Sequence, residues 1–260
     1  MEVKGVQRAN RTAAVEPLRP DPAGRSVSIA DQVFRTLRSS IVTMRLTPAT
    51  ALSEQDIADR LKVSRQPVRE AFIKLSEIGL LRVLPQRGTF VMKISAKAVA
   101  DARFVREAVE CAIARRASDG IGKQAVAELR LVIADQRVAA EAADLERFFV
   151  LDEAFHRGLA NAAECTHAWK VIEDAKAQMD RVRFLSLPDA TPMDHIIVQH
   201  QSILDAVAAG RGTAAEQAMR DHLREILKSM PRLSRAFPDM FEDEIVADDM
   251  TRKPRKKAAR

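Results

Sequence analysis

A mainly α-helical chain is predicted: an N-terminal winged helix-turn-helix followed by an antiparallel all-helical bundle of about six helices. Three observations carry this. Residues 51–91 read as helix, tight turn, helix and β-hairpin in succession. From residue 96 to about 230 the apolar residues keep a helical period, interrupted only at short polar, Gly or Pro breaks. The charge is also divided: residues 28–94 carry net +5 and residues 95–250 net −7. A basic module beside an acidic body is the pattern of a nucleic-acid-binding head on a sensor domain.

In chain order, residues 1–27 contain Pro17, Pro20, Pro22 and Gly24 without periodicity and are expected to form a disordered arm. The head is placed at 28–94. Ser28 to about Met44 is its first helix, with Ile29, Val33, Leu37 and Ile41 as the apolar stripe. Arg35, Arg38 and Arg45 are candidates for contacts to a DNA backbone, and Arg35 is kept as a site residue. Ser53 is placed to cap the next helix, with Asp56 in the capping-box position and Ile57, Ala58 and Leu61 as the buried spacing. Lys62-Val63 makes the turn. Ser64 caps a second helix, and Pro67 lies in its first turn, where a missing N–H does no harm; Ser53 and Ser64 are also candidate DNA contacts.

In that second helix Val68, Ala71, Phe72, Leu75 and Ile78 form the buried stripe. Arg65, Gln66 and Arg69 share another face near the N-terminus, where a recognition helix reaches base edges and phosphates in the major groove. Gly79 stops the helix. Leu81–Leu84 and Thr89–Val91 read as a wing whose tip offers Gln86, Arg87, Gly88 and Thr89 to the backbone or minor groove.

Residues 95–242 form the expected body, with helices near 96–118, 122–142, 145–163, 166–186, 191–208 and 212–230. Residues 243–260 are expected to be a disordered tail, whose last ten residues carry six basic and no acidic side chains. The chain has 260 residues and 47% apolar content, enough for two cores. Two cysteines, Cys111 and Cys165, are too few for a disulfide framework and fit a reducing cytoplasm. No 18-residue apolar run and no signal-type leader occur, so a cytoplasmic protein with no membrane span is expected.

The body holds the candidate chemistry. Asp152 and His156 are i, i+4 on one helix face, polar residues within the apolar run Phe148–Phe155. His200 and His222 sit inside two later helices. One carboxylate and three imidazoles from three helices could close on one cation and leave positions open for a ligand. Spacing alone leaves open the alternative of histidines satisfied separately in the core or at the surface.

The run Val63–Ala71 (VSRQPVREA), with Glu77-x-Gly79-Leu80 and Arg87–Val91 (RGTFV), resembles the winged helix-turn-helix of GntR-family bacterial transcription regulators. Residues 96–230 resemble the all-helical effector domain of the FadR branch, the FCD type. The resemblance implies a divalent metal, zinc first and nickel or manganese next, on Asp152, His156, His200 and His222. It also implies a small carboxylate effector beside the metal, with Arg106, Arg181 and Arg183 facing the pocket. Two positions depart from the family wording: Cys165 stands where an asparagine is frequent, and Gln55 where some heads carry arginine. The resulting expectation is a homodimeric regulator, a repressor by preference, on a palindromic operator in double-stranded DNA. Two rivals stand beside it. A metal-dependent helical-bundle enzyme is opposed by the absence of a general base spaced as in HExxH. A non-specific architectural DNA-binding protein is opposed by the acidic body.

Overall fold

The computed structural model describes residues 15–18, 27–188 and 191–242. The basic tail and most of the N-terminal arm lie outside the described residues. The head begins with α1 (Ile29–Val42), capped by Ser28, whose side chain accepts from the Asp31 N–H. Its buried face is Ala30, Val33, Leu37, Ile41 and Val42. Ile29, expected in the stripe, is 53% exposed, because it starts the first turn and projects before the helix meets its neighbours.

β1 (Ala51–Leu52) leads into α2 (Glu54–Leu61), and Ser53 accepts from the Asp56 N–H as the capping position requires. Lys62 ends α2 in the left-handed region at φ 57° and makes the tight turn to α3 (Arg65–Glu77). Ser64 holds the N-cap position of α3, but its side chain makes no capping hydrogen bond. Gly79, at φ 72°, turns the chain into the wing, β2 (Leu81–Leu84) and β3 (Gly88–Val91). The sheet has three strands in the order β1-β3-β2, all antiparallel, so β3 is central. β1 escapes sequence reading because a two-residue strand has no period and exists only through its pairing with β3.

The body contains α4 (Ala96–Ala117), α5 (Lys123–Glu141), α6 (Leu145–Ala162), α7 (Thr166–Ala175), α8 (Ala177–Ser186), α9 (Met193–Ala208) and α10 (Gly212–Ala236). The segment expected as one helix over 166–186 is therefore two, parted at Lys176. Helix α10 runs through Pro231, where the helix was expected to end, and a 3-10 turn Pro238–Met240 follows. Phe241 then pairs with Ile94 in a parallel bridge and is buried with Met179, Met230 and Leu233. The chain end of the body thus clamps the short linker between head and body.

Two further features bear on function. Val15 is fully buried in the head core, and its carbonyl accepts from Arg60 Nε at 3.3 Å. The arm is thus packed against the head at 15–18, an apolar anchor too short to leave a pattern. Helix α8 joins head and body: Ala177 is counted in the head core, and Gln178 Nε2 donates to the Gly79 carbonyl at 2.5 Å. Leu37→Ala, which empties a fully buried position on α1, is expected to destabilise the head by about 2–5 kcal/mol in denaturant melts. A loss below 1 kcal/mol would mean that this core relaxes or is not formed as described.

Candidate metal centre and DNA-facing surface

Helix α6 presents Asp152 and His156 inward, α9 presents His200, and α10 presents His222. All four are buried, and their ligand atoms lie within 4.8 Å of one another. The tertiary fold therefore brings together the four residues proposed from the sequence.

An acceptor stands behind each ring. His156 Nδ1 lies 2.6 Å from Glu110 Oε2 in a bent contact. His200 Nδ1 is 3.0 Å from Gln136 Oε1, and His222 Nδ1 is 2.8 Å from Gln199 Oε1. The two amide oxygens only accept, so Nδ1 of His200 and of His222 carries the proton and their Nε2 lone pairs point inward; the His156 Nδ1 approach to Glu110 makes no hydrogen bond. His156 Nε2 and His222 Nε2 are 3.1 Å apart, and His200 Nε2 is 3.6 Å from Asp152 Oδ1 with no hydrogen-bond partner. Two lone pairs at that distance repel unless a proton or cation lies between them. Burial pushes His156, His200 and His222 below the ordinary imidazole pKa, which favours the neutral, ligating form. The donor set fits a borderline divalent ion such as zinc.

Beside the four ligands is a cavity of about 40 Å³ lined by Arg106, Phe149, Asp152, Arg183, Gln199 and His222 among others. Arg106 pairs with Glu110 at 2.5 Å and keeps Nη2 without a partner. Burial works against the Glu110 anion, but Arg106 and His156 hold its carboxyl below the usual range. Arg183 contacts Asp152 through Nη2, lies 3.3 Å from Asp180 through Nη1, and stands over the Phe149 ring at 5.5 Å. Arg181 does not join them. Its Nη1 donates to the Met92 carbonyl at 2.8 Å, on the linker side. Residues two apart on a helix lie on opposing faces, so Arg181 and Arg183 cannot both enter one pocket. Burial without an anionic partner lowers the Arg181 guanidinium to about 10.

Glu110, Gln136 and Gln199 are site residues that sequence reading missed. Gln136 left a trace: it is a wholly buried polar residue on the Leu129, Ile133, Ala139 stripe of α5.

On the head, Arg65, Gln66 and Arg69 are exposed along the start of α3, and Gln86, Arg87 and Gly88 are exposed at the wing tip, with Thr89 half-buried. Arg65 and Arg69 both reach Glu54, at 3.2 and 3.4 Å, and Gln66 reaches Glu70 at 3.0 Å. Arg35 is exposed on α1. Two other arginines considered for backbone contact are engaged elsewhere: Arg38 with Asp180, and Arg45 with Glu16 and Glu146.

Comparison with known proteins agrees with both halves. Residues 29–91 match the family model for bacterial regulatory proteins of the gntR family, and residues 101–225 match the FCD domain. The HTH-type transcriptional repressor RspR of Escherichia coli K12 is 43% identical over 216 residues, covering 83% of this chain and 95% of that protein. A GntR transcriptional regulator from Rhodococcus sp. RHA1 superposes with a TM-score of 0.64 at 27% identity, over 77% of this chain and 98% of that one. The E. coli McbR/YncC structure has the same fold, with a TM-score of 0.70 at 20% identity, over 81% of this chain and 99% of that one. With a gntR-type head, an FCD body and a relative this similar over nearly its whole length, the chain belongs to the GntR family of bacterial transcription regulators and is not an enzyme.

Proposed function

We propose that this protein is a homodimeric repressor whose operator binding is controlled by a small carboxylate bound beside a divalent metal in the helical body. The observation that carries the metal is the convergence of one carboxylate and three buried imidazoles within 4.8 Å of one another, with His200 and His222 fixed from behind by Gln136 and Gln199 and His156 close to Glu110. When bound, the ion supplies positive charge to that point and open coordination positions for a ligand oxygen. The side chains do the rest. Asp152, His156, His200 and His222 hold the ion, and Gln136 and Gln199 keep the tautomers of His200 and His222 correct.

The pocket's charges favour an anionic effector. Arg106 and Arg183 stand against Asp152, Glu110 and Glu225, so a divalent ion leaves an excess of one positive charge. Arg106, with Nη2 unengaged, is suited to a carboxylate. A cavity of about 40 Å³ suits a few waters or a small acid rather than a long acyl chain.

At the head, Arg65, Gln66 and Arg69 enter the major groove, and Gln86 to Thr89 and Arg35 meet the backbone. Glu54 holds the two recognition arginines until phosphates and base edges replace it. Two copies reading two half-sites require a pseudo-palindromic operator. Repression as the mode is supported by RspR, which carries that description.

Genomic fragments captured by the purified chain at physiological salt should share one short inverted repeat; capture without sequence preference would instead favour an architectural role. Arg65→Ala should cost about 1–3 kcal/mol of specific binding, and an unchanged ratio of specific to non-specific affinity would remove Arg65 from base reading. The purified chain should take up zinc. His200→Ala should lose it, and Gln136→Leu should bind it about 10–100-fold more weakly, as removal of a supporting acceptor does elsewhere. Full zinc occupancy in His200→Ala would sink the site.

A further inference from the structure

We propose that Asp180 transmits the state of the metal site to the DNA-binding head, through a cation that both compete for, Arg183. The proposal rests on reading Asp152, His156, His200 and His222 as a metal site. What it adds is the route out of that site.

Four alternating charges run from site to head. Arg183 spans the first gap: Nη2 is on Asp152, and Nη1 is 3.3 Å from Asp180 Oδ1. The other oxygen of Asp180 accepts from Arg38 Nη2 at 2.6 Å and from Lys176 Nζ at 2.7 Å. Arg38 belongs to α1, the first helix of the head. Side-chain exposures along the route are 4% for Asp152, 13% for Arg183, 0% for Asp180 and 18% for Arg38. Charges this far from water feel a change of partner strongly, because little solvent screens it.

The rest of α8 makes the route mechanical as well as electrostatic. Ala177 packs in the head core, Gln178 donates to the Gly79 carbonyl where α3 meets the wing, and Arg181 donates to Met92 at the linker. With the Asp180–Arg38 pair, one ten-residue helix thus touches the head at four places and carries Arg183 into the site.

The redistribution follows from counting partners. Asp152, once it ligates a cation, gives up Arg183. Arg183 then leans on Asp180, and Asp180 holds Arg38 less tightly. An effector carboxylate that takes Arg183 returns Asp180 to Arg38. The head is thereby released and recaptured according to what occupies the site. Coupling of this kind is reciprocal, so changing the head end must change affinity at the site.

The test is zinc affinity of the full chain, measured by competition with a chromophoric chelator. In Arg38→Gln, Asp180 is freed to draw Arg183 off Asp152, and zinc should bind more tightly, by about fivefold or more. In Asp180→Asn, Arg183 is left with Asp152 alone, and zinc should bind more weakly by a similar factor. Arg38→Lys, which keeps the charge, should stay near the parent. Opposite signs support the route, whereas a merely structural role would weaken both variants or neither, and either of those results overturns it. Should Arg38→Gln fail to fold, hydrogen exchange of the parent decides: zinc should speed exchange in residues 29–42, and unchanged exchange with zinc bound overturns the route. Failure of the parent chain to bind zinc would instead remove the metal reading on which the proposal stands.

Discussion

Asp180 is wholly buried, and three cations, Arg38, Lys176 and Arg183, close on its two oxygens. A carboxylate taken out of water is tolerated only when its charge is matched and its lone pairs are used. Removing one partner of such a group typically costs about 3–5 kcal/mol, because the remaining charge is stranded. This requirement keeps α8 where it is. Arg38 has to come from α1, Arg183 has to turn toward α6, and Lys176 has to stay buried with Glu153 beside it. The head meets the body through this charge matching and through the apolar contact of Ile94 and Phe241.

The candidate metal site follows the same rule with the opposite sign. Three imidazoles are buried, burial favours their neutral form, and His200 and His222 have an amide oxygen behind Nδ1. What is left over is a set of inward lone pairs and one carboxylate, an excess of electron density that calls for a cation. Arg183 answers part of that call by lying on Asp152. The same arginine answers Asp180, so the site and the head interface draw on one positive charge.

Most of the head was legible because its determinants are local. A serine cap, a left-handed Lys62, the stripe Val68, Ala71, Phe72 and Leu75, and Gly79 at positive φ act within one or two turns. Cooperation between distant segments was not legible. β1 exists through its register with β3. Val15 reads as one apolar residue in a polar arm, and only the head core shows it to be an anchor. The break at Lys176 interrupts no hydrophobic period, so it left no mark. Arg181 and Arg183 look equivalent in sequence, yet the helical twist sends one to the linker and the other to the cavity.

The two-part plan and the helix-turn-helix were readable from sequence alone, because periodicity, capping and turn chemistry are properties of short stretches of chain; the four-residue cluster was singled out through the family resemblance, since spacing left it open. That Asp152, His156, His200 and His222 converge, that Gln136 and Gln199 stand behind two of the rings, and that Asp180 pairs with Arg38 on the head came from the tertiary packing. The reason is physical: buried charges and lone pairs are satisfied by whichever groups the packing brings within about 3 Å, and no local pattern encodes that meeting.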